Sequence, residues 1–207
     1  MTTDAPFILA LDVASTTGVC EGRAGETPRF YTERFGKDGD EHEDAYGRAL
    51  VWIATRLALG DVDVVYIEAP LGGAAQGHTT ADATFRLVGL WAVLAAACKA
   101  RRVRYSKISV QTARVAFLGR GCGHLKRDEG KRRAFDMCKL LQWSPNNRDE
   151  GDAGAVWYLA ATREAPRIAQ LATPMQQHRV ATTIGGVRVD DGDDDHVPMT
   201  RIKRGSR

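Results

Sequence analysis

Phe7-Ile-Leu-Ala-Leu-Asp-Val13 is a short run of strand-forming apolar residues with one acid, Asp12, set near its end, and Ser15-Thr-Thr-Gly18 follows as a turn. A carboxylate in a buried apolar strand is costly unless something pairs with it, so Asp12 either caps the turn or binds something. Further along, Val62-Asp-Val-Val-Tyr-Ile67 has the same character and runs straight into Glu68. Two strands that each end in an acid are the frame for the rest of the chain.

Around this frame the pattern alternates. Residues 19–22 and 29–34 read as a second and third strand, and 36–43 as a polar loop. From Asp44 the spacing of Leu50, Ile53, Ala54 and Leu57 predicts a helix ending near Gly60. Pro70 and Gly72-Gly73 end the strand that carries Glu68. A long helix is expected over 80–101, with Ala83, Leu87, Leu90, Val93, Leu94 and Ala97 as its apolar stripe. A strand over 103–106 and a helix over 110–117 follow, with 119–123 breaking the helix. Residues 131–141 form a basic amphipathic helix, and Asp149 opens a last helix carrying Ala153, Val156, Trp157 and Leu159. Three early strands followed by alternating helices and strands predict an α/β fold with a mixed sheet flanked by helices.

Composition narrows the setting. Of the 207 residues, 43% are hydrophobic and 27% charged, as in an ordinary globular domain. No run of apolar residues reads as long enough for a membrane span, and residues 1–15 lack a signal-peptide pattern, so the expected location is cytoplasmic. Cys20, Cys98, Cys122 and Cys138 form no C-x-x-C pair and are expected to be free thiols. The net charge of +3 is unevenly spread. Residues 1–98 carry 7 basic and 14 acidic side chains, residues 99–148 carry 14 and 3, and residues 149–207 carry 8 and 9. A basic block inside an acidic domain suits a polyanion such as nucleic acid, although a solvated helix face has the same composition. Residues 1–172 are expected to be one domain. Residues 173–207, with the acidic run Asp190-Asp-Gly-Asp-Asp-Asp195 and a basic end, are expected to be a flexible charged tail.

Two more acids complete the chemistry. Asp149 and Asp152 are three residues apart at the start of a helix, so they share a face beside the positive end of its dipole. Asp149 alone reads equally well as the helix N-cap. Together with Asp12 and Glu68 they make four carboxylates, which repel one another unless cations hold them. Hard oxygen donors select Mg²⁺ or Mn²⁺. Two such ions about 4 Å apart activate a water and stabilise the leaving oxygen in phosphodiester hydrolysis.

The succession Ile8-Leu-Ala-Leu-Asp12 with Thr17-Gly18, then Val64-Val-Tyr-Ile-Glu68, then Asp149-Glu-Gly-Asp152-Ala153 resembles the acidic motifs of the RuvC-type Holliday junction resolvases, in the RNase H-like superfamily. Leu87-Val-Gly89, Gln111-Thr112, Gly119 and Lys131 resemble the segments between them, and the likeness runs over residues 7–162. It implies an RNase H-like mixed five-stranded sheet flanked by helices, a homodimer, and paired symmetrical nicks in a four-way DNA junction. It further implies Asp12, Glu68, Asp149 and Asp152 as ligands of two Mg²⁺ ions, replaceable by Mn²⁺, and Lys131 as a catalytic or DNA-backbone residue. The compact chain and its charged tail suit a phage-encoded relative. Two departures stand out. The basic residue that family members often carry before Gln111-Thr112 is replaced by Val110, with Lys107 three positions earlier. The segment Ala69-Pro-Leu-Gly-Gly-Ala-Ala75 lacks the aromatic that bacterial members use at the junction centre. Other readings stay open. One is an RNase H-like nuclease for RNA–DNA hybrids or other branched DNA, and another is a DNA-binding module that kept the fold without the chemistry. The last is an actin-like or sugar-kinase ATPase, whose phosphate turn Leu11-Asp-Val-Ala-Ser-Thr-Thr-Gly18 also resembles.

Overall fold

A computed structural model describes residues 5–69 and 80–169. Five strands form one sheet: β1 (Phe7–Asp12), β2 (Thr16–Arg23), β3 (Arg29–Arg34), β4 (Val64–Glu68) and β5 (Arg104–Ile108). Their spatial order is β3-β2-β1-β4-β5. β1, β2 and β3 are antiparallel neighbours joined by short turns, while β4 and β5 run parallel to β1. The parallel connections need helical crossovers, and α1 (His42–Ala58) and α2 (Ala81–Ala100) supply them. After β5 come α3 (Val110–Leu118), a 3-10 turn, α4 (Arg127–Leu140), α5 (Arg148–Glu164) and the short α6 (Pro166–Ala169). The α/β mixed five-stranded sheet flanked by helices is thus the one expected, with the elements in the expected order.

The strand period of two divides the core. Leu9, Leu11, Val65 and Ile67 point to one face and pack with Ala49, Ile53, Leu57, Leu90 and Leu94 of α1 and α2. Ile8, Ala10, Val64 and Tyr66 point to the other, against Ala153, Val156, Trp157 and Ala160 of α5. The last residues of β1 and β4, Asp12 and Glu68, continue this second series. α5 crosses the face at close range, because a Cβ on Gly18 of β2 would fall 2.2 Å from the Asp149 carbonyl oxygen.

Several boundaries move. α1 starts at His42, inside the expected loop, and β2 starts at Thr16 because its antiparallel partner β1 extends the pairing to Asp12↔Gly18. β5 reaches Ile108, two residues beyond its expected end, through parallel pairing with β4. Contrary to the sequence reading, α2 has the length and apolar composition of a bilayer-spanning helix. Here Leu90, Leu94, Ala95, Ala97 and Cys98 pack into the core, while Asp82 and Arg86 lie in its first half. That first half runs along α1, where Gly89 makes room for the Tyr46 ring and Tyr46 Oη donates to the Phe85 carbonyl over 3.0 Å. Phe85 and Val88 stay exposed. All four cysteines are free thiols. The expected tail, and residues 70–75 of the segment lacking an aromatic, lie outside the described residues.

The seating of α5 on β2 gives a direct test. Gly18→Ala must push the first turn of α5 away from the sheet, at a cost of about 1–3 kcal/mol. The thermal midpoint is expected to fall by about 2–4 °C per kcal/mol lost. An unchanged midpoint would mean that α5 does not sit on β2 as described.

Candidate active site

Asp12 and Glu68 meet because of register. Leu11 pairs with Ile67 in the parallel ladder, so the next residues, Asp12 and Glu68, emerge side by side on the face covered by α5. The Asp12 charge acts directly on the Glu68 carboxyl. Glu68 Oε2 is buried and has no partner among the described residues. Burial, and then the charge of Asp12, push the Glu68 carboxyl well above the usual carboxylate range.

α5 brings the second pair. Its N-cap is Asn147, whose side-chain oxygen accepts from the backbone N–H groups of Asp149 and Glu150 at 3.0 Å each. The capping role read for Asp149 is therefore filled two residues earlier, which leaves the Asp149 carboxylate free to face the sheet. Glu150, the other acid of this turn, is taken up by structure: it accepts from Thr32 Oγ1 at 2.7 Å and from the Asn146 backbone at 2.6 Å. Asp152 follows one turn after Asp149 and is fully enclosed.

Two cations serve these acids. Lys131 Nζ of α4 lies 2.5 Å from Asp149 Oδ1, 2.9 Å from Asp12 Oδ2 and 3.8 Å from Asp152 Oδ2. Burial opposes its charge, but Asp12 first and Asp149 next hold the ammonium well above the usual lysine range. The second cation, Arg114 of α3, was not singled out from the sequence. It is buried and forks onto Asp152, with Nη2 to Oδ2 at 2.8 Å and Nε to Oδ1 at 3.3 Å. Burial raises the Asp152 carboxyl and the Arg114 hydrogen bonds pull it partly back. Gly130, next to Lys131, is required here, since a Cβ would fall 2.3 Å from Arg114 Nη1. One signal for Arg114 was present: it lies four residues after Val110, on the same helix face as the position where a basic residue was missing. Lys107 does not fill that place. It pairs with Ile67, so it points to the opposite sheet face from Glu68, and its ammonium lies over the Trp91 ring, 4.2 Å from the centroid.

All five sequence-predicted residues, Asp12, Glu68, Asp149, Asp152 and Lys131, are thus in one cluster. Among the described residues no three acids are arranged as a formed metal-ligand set. Their oxygens are turned instead toward Lys131 and Arg114. The donor set nevertheless fits a hard divalent cation: all donors are carboxylate oxygens, one is buried and orphaned, and a cation already sits among three of them.

No protein-family model matches the sequence, and no curated protein matches it. Solved structures do match by fold. The Thermus thermophilus RuvC structure aligns with a TM-score of 0.54 at 13% identity, over 76% of this chain and 95% of that one. T. thermophilus RuvC in complex with Holliday junction substrate aligns at 0.55 and 10%, over 77% and 96%. The yeast mitochondrial Holliday junction resolvase Ydc2 aligns at 0.51 and 14%, over 89% and 87%. The chain therefore has the RuvC-like, RNase H-like fold.

Two stability effects follow. Arg114→Met leaves a buried carboxylate without its fork and is expected to cost about 3–5 kcal/mol in thermal or urea unfolding. Glu68→Gln acts in the opposite direction. The folded Glu68 carboxyl titrates above its unfolded value of 4.5, so its penalty is absent below that pH and grows as pH rises toward the folded value. The variant is expected to melt like the parent near pH 4 and above it at pH 8. Equal midpoints at pH 8 would contradict the burial assigned to Glu68.

Proposed function

We propose that this chain is a structure-selective DNA endonuclease that resolves four-way junctions by paired, metal-dependent phosphodiester hydrolysis. The observation that carries this reading is the cluster itself: acids from the ends of two neighbouring parallel strands and the first turns of a helix, with one lysine among them. The fold of two solved RuvC structures, one in complex with Holliday junction substrate, and of the resolvase Ydc2 supports it.

Asp12, Glu68, Asp149 and Asp152 would hold two Mg²⁺ ions, with Mn²⁺ as a substitute. Bound there, the metal supplies an activated water and charge stabilisation for the departing oxygen. The chain's residues do the remaining work. Arg114 fixes the Asp152 carboxylate. Asp149, the most exposed of the acids ion-paired with Lys131, faces the incoming phosphate. Lys131 gives that phosphate a positive partner. The basic residues of 99–148 hold the DNA arms through phosphates, so affinity should fall linearly in log–log terms with salt. A homodimer would place two such sites on one junction, and exposed Phe85 and Val88 of α2 offer an apolar face for its formation.

The test is a nicking assay with Mg²⁺ on a mobile four-way junction, a linear duplex, a flap and an RNA–DNA hybrid. Symmetrical paired cuts in the junction alone, reduced about a hundred- to thousandfold in Asp12→Asn, are expected on the scale of lost transition-state charge stabilisation. Preference for the flap or hybrid would assign the same chemistry to another substrate. Cleavage of nothing, with stabilisation by ATP, would replace the reading with a nucleotide-binding one. A monomer in light scattering, with and without junction, would remove the dimer.

A further inference from the structure

Lys131 sits as an ion sits in a coordination shell. Its ammonium faces one oxygen from each of three carboxylates, and these come from β1 and from two successive turns of α5. The side chain is 14% exposed, so little water competes for the ammonium. Asp152 is not free to turn away, because Arg114 holds both of its oxygens. Glu68 lies outside this shell, and its buried Oε2 has no partner among the described residues, whereas Asp12 and Asp149 are met by the protein's own ammonium.

We propose that Lys131 is a tethered counter-cation that fills one divalent position of the site in the DNA-free protein, so that a second metal ion enters only by displacing it. This rests on the metal-dependent reading above. No bond is made or broken in the exchange. The ammonium leaves as the divalent ion arrives, keeping its proton, and a DNA phosphate above the partly exposed Asp149 gives it a new partner. Lysine suits the task, since it is a point charge on a flexible stem, whereas the forked guanidinium of Arg114 is fixed in place.

Mn²⁺ binding to the full chain without DNA, followed by loss of the free-ion EPR signal, tests this with no reference to cleavage. The parent is expected to take up one ion well and a second much more weakly. Lys131→Met and Lys131→Gln should bind the second at least about tenfold tighter, because a unit charge in contact with the ligands has been removed. Lys131→Arg, which keeps the charge, should stay near the parent. In the parent, acylation of Lys131 read by mass spectrometry should rise as Mn²⁺ is added, a measurement that does not depend on a variant folding. Two equally tight ions in the parent would overturn the proposal. So would unchanged Mn²⁺ binding in Met and Gln variants, or acylation indifferent to Mn²⁺, while Asp12→Asn still abolishes uptake. Absence of Mn²⁺ uptake in the parent and every variant would instead overturn the metal-dependent reading itself, and this inference with it.

Discussion

Two carboxyl groups forced together at the ends of adjacent parallel strands are the constraint on which the rest of the site depends. Asp12 and Glu68 are placed by backbone register, not by side-chain choice, so neither can retreat without breaking the ladder between β1 and β4. Buried like charges at that distance are unfavourable unless one is neutralised or a cation intervenes. The Glu68 carboxyl is pushed toward the first course by burial and by Asp12. Asp12 takes the second, through Lys131. The crossing of α5 over β2 at Gly18 and the approach of α4 at Gly130 bring the remaining acids and both cations within reach.

The two cations have different physical characters. Arg114 and Asp152 form an enclosed fork, with side chains 6% and 2% exposed, which ties α3 to α5 and acts as a strut. Lys131 makes single contacts to several acids at the rim of the same cluster. A fixed pair beside an exchangeable one lets the site keep its shape while its charge changes. Ionising the Glu68 carboxyl costs stability, so an amide would be easier to bury at this position.

Much of this was legible in the residues. The apolar runs ending in Asp12 and Glu68, the three-residue spacing of Asp149 and Asp152, and the alternation of helix and strand need only the periods of two and 3.6. The likeness of the motifs added Lys131, whose spacing to the acids carries no local signal, because it meets Asp12 from 119 residues away. What was not legible is tertiary. Asn147 and Asp149 are both good caps, and only the path of the chain decides that Asn147 takes the role. Arg114 carries no mark in the sequence beyond its place in a basic segment, and its burial follows from the fit of α3 against α4 and α5. The basic block of 99–148 was read as one DNA-facing surface, yet it also supplies both cations that sit among the acids.

Anomalous diffraction from crystals grown with Mn²⁺, at a wavelength near the manganese edge, tests the central claim most directly. The account predicts a peak bonded to Asp12 and Glu68, with Oε2 of Glu68 as a ligand. Unaltered contacts among the acids, Lys131 and Arg114, with no peak at the cluster in millimolar Mn²⁺, would contradict it.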